Sequence, residues 1–192
     1  MALTTKLNAV NTMISVIGEA PVNTLGGTAV PVTVVQAENV LDETNRAVQS
    51  EGWHFNTEHE YVLTPDAGTN KINLPSNTLK VDLDPQIYTD SDAVQRGLTL
   101  YDRKNHTDQW TKQVKASITF ELDFTDIPEQ FRNYITVKAA RIFANRFLGT
   151  REIEGFALRD EIEAKARAID SDSEASDMTI YDSYSVLRVL DR

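Results

Sequence analysis

Apolar residues recur at helical spacing at both ends of this sequence, and that spacing disappears between Trp53 and Phe124. From about Thr5 to Ile17, Leu7, Val10, Ile14 and Ile17 form one stripe, widened by Met13; Gly18 stops it and Pro21 prevents its resumption. After a turn-rich loop through Gly26, Gly27 and Pro31, a second helix is expected from about Val34 to Gln49. Thr33 is its N-cap candidate, Val34, Ala37, Leu41 and Val48 face inward, and Gly52 closes it. A third helix should open at Asp126, with Glu129 at capping-box spacing and Pro128 in the first turn, and run to about Leu148 before Gly149. Phe131, Ile135, Ala139, Ile142 and Phe143 give it a broad apolar face. A fourth, from about Glu154 to Ile169, is expected to turn Leu158, Ile162, Ala166 and Ile169 inward.

The middle block reads as short strands: 61–63, 79–83, 86–88, 98–101 and 117–122. Turn signals at Pro65-Asp66-Ala67-Gly68, Asp84-Pro85 and Lys104-Asn105 separate them. From Lys115 to Phe124, alternation places Ala116, Ile118, Phe120, Leu122 and Phe124 on one face. The pattern predicts an α+β protein. Its four-helix core comprises two N-terminal and two C-terminal helices, with an inserted antiparallel β-subdomain and an extended C-terminal tail. The expected boundaries are a discontinuous helical bundle, 1–52 with 126–170, a β-subdomain, 53–125, and a tail, 171–192.

Between Asp170 and Asp182 there are five acidic residues and no basic one, a composition that cannot offset its own ordering entropy and reads as a flexible linker. Tyr181, Tyr184, Val186, Leu187, Val189 and Leu190 follow, an apolar end of the kind that orders on a partner.

The chain is 41% hydrophobic, enough for a core without staples, and the absence of cysteine excludes disulfides and thiolate-held metals. A net charge of -10 argues against a general nucleic-acid binder, which presents a basic face to phosphates. No apolar run approaches the ~20 residues that cross a bilayer. The N-terminus, with Lys6 and scattered polar residues, does not read as a signal peptide, so no membrane role is expected.

Carboxylates are plentiful, and a glycoside hydrolase needs two facing each other across a sugar. Glu58, Glu60, Asp82, Asp84, Asp90 and Asp92 cluster in the β-region, but no pair stands out and a solvated acidic rim explains them. His54, His59 and His106 match no metal motif, Gly26-Gly27 lacks phosphate-loop context, and there is no GxSxG elbow. No catalytic residue, cofactor or metal is expected; a glycan-degrading hydrolase is the runner-up function.

The third helix concentrates Arg132, Lys138, Arg141 and Arg146, with Arg151 just beyond, in an otherwise acidic chain. They read either as a DNA-contacting face or as partners for the acidic fourth helix, including Glu161 and Glu163, within the chain or across a subunit interface. Trp53, Phe55 and Trp110 read as core or interface anchors.

Several segments, taken in order, resemble the tail tubular protein A family of short-tailed bacteriophages. They are Ala9-Val10-Asn11 through Ile17-Gly18-Glu19-Ala20-Pro21-Val22, Glu51-Gly52-Trp53-His54-Phe55-Asn56, Tyr101-Asp102-Arg103, and Pro128-Glu129-Gln130-Phe131-Arg132 continuing through Lys138-Ala139 to Asn145-Arg146-Phe147-Leu148-Gly149; Glu154-Gly155 and the acidic helix beyond it also fit. None is a catalytic signature. The resemblance implies a structural virion protein, assembled in the host cytoplasm, that forms a twelve-fold homo-oligomeric ring between the portal protein and the tail nozzle (tail tubular protein B). Tail fibres are further partners, and duplex DNA passes through without specific binding. Arg132, Lys138, Arg141, Arg146, Glu161 and Glu163 are then the expected subunit interface, and Tyr181, Tyr184, Val186, Leu187 and Leu190 the docking tail. A DNA-binding terminal plug is a third reading.

Overall fold

The computed structural model describes residues 3–27, 30–148 and 151–176. Its elements are α1 (Lys6–Val16), α2 (Val32–Gln49), β1 (Thr57–Leu63), β2 (Thr78–Leu83), β3 (Ala93–Arg96), β4 (Thr99–Asp102), β5 (Val114–Phe120), α3 (Glu129–Leu148) and α4 (Arg151–Ala175). Helices and antiparallel strands make it an α+β protein. The described residues form two compact units: those of Met1–Thr44 with Phe124–Arg192, and Asn45–Asp123.

In the helical unit, α1 opens on Thr5, whose hydroxyl accepts the Asn8 N–H. It closes at Gly18, where φ of +81° lets the Gly18 and Glu19 N–H groups return to the Ser15 and Ile14 carbonyls. Its buried residues are Ala9, Val10, Met13 and Ile14, so the packed stripe is rotated from the expected one and Leu7 and Ile17 are only half-buried. α2 starts at Val32, two residues earlier than a Thr33 cap allows. The Pro31 carbonyl accepts the first N–H groups, from Val34 and Val35, and the Thr33 hydroxyl donates to Glu19 Oε2 at 2.6 Å instead. Along α3, Phe131, Ile135, Ala139 and Phe143 are buried, with Tyr134, Ala140 and Ala144 beside them. The face is broad because α1 and α4 both pack on it.

Two expectations for the C-terminal region are corrected. Leu158, Ile162 and Ile169 are 46%, 63% and 43% exposed, and Ala166 is exposed as well. The buried face of α4 instead carries Ala164 and Ala168, whose small side chains permit close approach, beside Glu161. The linker expected from Asp170 begins as helix, which runs on to Ala175. Ser173 Oγ donates to the Ile169 carbonyl and the Ser176 N–H to that of Asp172, satisfying the backbone where no apolar burial helps. The remainder of the expected tail, 177–192, lies outside the described residues.

In the second unit a three-stranded antiparallel sheet has the order β1-β5-β2. The well-alternating strand β5 is central, with Leu63 opposite Val114 on one side and Val81 opposite Ile118 on the other. β3 and β4 form a hairpin turning at Gly97. Leu63, Ile72, Leu83, Leu100, Trp110 and Ile118 lie in the core. The expected strand 86–88 is a turn: the Asp84 carbonyl accepts the Ile87 and Tyr88 N–H groups and its side chain accepts that of Gln86. β3 had no apolar alternation to announce it; its partner β4 holds it.

Candidate functional site

The four segments that carry the resemblance lie apart in sequence, and each makes hydrogen bonds or ring contacts that hold the backbone or loops of its own unit. After α1, Asn11 Nδ2 donates to the Val22 carbonyl and Asn11 Oδ1 accepts the Val22 N–H, both at 2.9 Å, fastening the Gly18–Val22 exit. In the second unit Trp53 Nε1 donates to the Val48 carbonyl at 2.7 Å, and Asn56 Nδ2 donates to the Gln49 and Phe120 carbonyls. Asp102 is buried in its loop. Its Oδ1 accepts the N–H groups of Asp92, Lys104 and Asn105, and Oδ2 accepts the Asn105 side-chain amide at 2.7 Å. Burial acts to raise the Asp102 carboxyl pKa, but these hydrogen bonds, first that of the Asn105 side chain, outweigh it and hold the group at about 2. Beside it, the Arg96 guanidinium lies 3.4 Å over the Tyr101 ring.

The fourth segment fastens the N-terminal end of the chain. Glu129 accepts the Thr4 N–H at 2.9 Å and the Thr4 hydroxyl, so it caps Thr4 rather than closing a box with Asp126. Burial pushes its pKa up, but the bonds from Thr4 bring it below the usual carboxylate value. Arg132 is buried and donates to the carbonyls of Ile127, Thr4 and Thr125.

These contacts decide how the six charged interface candidates stand. Arg132 is inside the helical unit, not on a surface, because its guanidinium serves three backbone carbonyls. Arg141 and Glu161 pair with each other between α3 and α4, both largely buried. Arg146 reaches Glu43 on α2 at 3.0 Å, each lowering the energy of the other's charge: the carboxyl is held below its ordinary pKa and the guanidinium above. Glu163 pairs with Arg167 one turn on. Lys138 Nζ lies 3.3 Å from the Tyr134 hydroxyl. Pairing within the chain, one of the readings open from the sequence, is the one realised for Arg141 and Glu161. The docking-tail candidates Tyr181, Tyr184, Val186, Leu187 and Leu190 lie outside the described residues.

The six acids of the β-region, Glu58, Glu60, Asp82, Asp84, Asp90 and Asp92, are all exposed, whereas a general acid has its pKa raised by burial. Glu60 pairs with Lys115 at 3.0 Å and Asp92 with Arg103 at 3.5 Å. A depression of about 590 Å³ beside Trp110 is lined by Asp66, Asn70, Lys112 and Gln113 but by none of the six. Asp66 itself accepts from Gly68 and Thr69. His59 Nδ1 lies 3.0 Å from Ser117 Oγ. Among the described residues no group of three or more histidines and carboxylates is placed to hold a metal, and no helix is long and apolar enough to cross a membrane.

What the helical unit does present is apolar surface: the α4 stripe, Val32 and Val35 on α2, and Phe147 at the end of α3. Sequence periodicity found the α4 stripe but assigned it to the core. Exposed apolar area of this kind marks contact with other molecules. Against known families, the model described as tail tubular protein (Tube) matches residues 7–178. The chain belongs to the tail tubular protein family. A comparison with individually curated proteins gives no match. As a tail tubular protein it is a structural component of the phage tail and hence of the virion.

Proposed function

We propose that this tail tubular protein is the adaptor between the portal and the tail nozzle, assembled as a twelve-fold ring through which the genome passes during ejection. The family match over residues 7–178 carries the reading. The helices build the ring wall, and the β-subdomain, 53–125, and the tail reach for neighbouring virion proteins, the tail fibres among them. The charge of -10 supports a conduit, because retention of duplex DNA requires cations that displace phosphate counterions. Arg141 and Arg146, the cations that would make a wall adhesive, have carboxylate partners in the same chain. Repetition around a ring turns modest contacts into strong attachment. The apolar end containing Tyr181, Tyr184, Val186, Leu187 and Leu190 docks on the portal or on an adjacent subunit.

A phage carrying a nonsense mutation in this gene tests the assignment. Packaged heads that retain the portal but carry no nozzle are expected. Nozzles attached normally in the absence of the chain would refute it.

A further inference from the structure

The α4 stripe has a counterpart on the same helical unit. A groove between α1 and α4, floored by α3, is lined by Thr12 and Val16, by Val137, Ala140 and Ala144, by Asp160, and by Arg141, whose charge is taken up by Glu161. Its volume is about 200 Å³. That is below the roughly 300 Å³ at which small-molecule sites begin, and it suits the entry of aliphatic side chains. Alanines on the floor leave room for another helix to approach closely, the geometry of helix-in-groove recognition.

Groove and stripe lie on opposite flanks of α4. At 3.6 residues per turn, Leu158, Ile162, Ala166 and Ile169 fall within about 80° of one another, and Asp160 lies about 165° from their centre. Because the two surfaces face nearly opposite ways, one neighbour cannot cover both, and a contact between stripe and groove is heterologous. A two-fold contact would bring stripe to stripe and leave both grooves open. Heterologous contacts propagate from copy to copy and end only on closure into a ring. Charge agrees with this pairing. Asp160 edges the groove, Arg159 borders the stripe, and neither has an ion-pair partner among the described residues.

We infer that the Leu158–Ile162–Ala166–Ile169 stripe of one copy seats in the α1–α3–α4 groove of the next, with Arg159 against Asp160. The seam rests on the ring reading above and uses a different surface from the charged α3–α4 interface expected from sequence.

The cysteine-free sequence makes the seam testable by placed thiols. Val16, on the groove wall, and Ile162, in the stripe, are 42% and 63% exposed, so cysteine at either leaves the core intact. Tails assembled with a Val16→Cys/Ile162→Cys chain, bridged by a short bis-maleimide, should give a ladder of covalent oligomers on a denaturing gel. Either single variant should give none, and tails assembled from the two single variants mixed should give products. Dimers from Ile162→Cys alone would establish a two-fold contact and overturn the inference. Rings visible by electron microscopy without any ladder would also overturn it while leaving the ring reading intact. Wild-type tails without a ring of this chain would remove the ring reading itself. As a second arm, Ile162→Asp should leave the melting temperature of the isolated chain unchanged and abolish rings; rings formed at the wild-type yield would contradict the seam.

Discussion

Asp102→Asn isolates what one buried charge contributes to the second unit. The wild-type carboxylate collects three backbone N–H groups and one side-chain amide, which hold its pKa at about 2 against an ordinary 3.8. At about 1.4 kcal/mol per pH unit, that shift corresponds to roughly 2 kcal/mol of stability. Because the folded state binds the proton less readily than the unfolded state, the contribution is complete above the unfolded pKa. It is lost as pH falls from near 4 through about 2. Asparagine cannot titrate and so lacks this slope. Both tryptophans, Trp53 and Trp110, belong to this unit, so their fluorescence follows its unfolding in urea. At pH 7 the variant's midpoint should fall by about 1 M, for an m-value of about 2 kcal/mol/M. Near pH 2 the deficit should shrink to whatever the mismatched Asn105 amide contact alone costs. A deficit of the same size at both pH values, or none at pH 7, would refute the argument.

Arg132→Met should destabilise the helical unit by about 3 kcal/mol, since the buried Ile127 carbonyl and the part-buried Thr4 and Thr125 carbonyls lose their donor; thermal melting followed by helical circular dichroism reads this. Arg141→Ala should cost about 2 kcal/mol in the same assay, because Glu161 is left nearly buried without its cation. Deleting 177–192 should leave that melting curve unchanged and abolish attachment to portal rings; retained attachment would count against the docking tail. Duplex DNA should show no salt-sensitive affinity for the purified chain in a titration between 50 and 200 mM salt, the range over which about six phosphate contacts change affinity by ~10³.

Much of this fold was legible because burial leaves a period in sequence. Val34, Ala37, Leu41 and Val48 on α2, Phe131 and Phe143 on α3, and Ala116 and Ile118 on β5 are all buried where their spacing placed them. The stretch 86–88 misled because Ile87 and Tyr88 have strand-like character, while the preceding Asp84 gathers their N–H groups into a turn. α4 misled for a different reason. Its aliphatic residues do form one stripe, but periodicity shows only that a face is apolar, not whose surface covers it. The residues that meet α3 are the alanines and Glu161, which carry almost no hydrophobic signal. The contacts of the charged candidates were not legible for a similar reason. Sequence shows that opposite charges are available, whereas only coordinates show that Arg132 points at carbonyls and Arg146 at Glu43. The motifs behind the family resemblance were visible as strings, and their physical content, a set of hydrogen-bonded clamps some of which join distant stretches of chain, was not.

Electron microscopy of the purified chain mixed with portal and nozzle proteins bears most directly on the adaptor role. The account predicts a twelve-fold layer of this protein lying between the two, open along its axis. A chain found outside the portal–nozzle junction, or bound there as separate copies without a continuous ring, would contradict it.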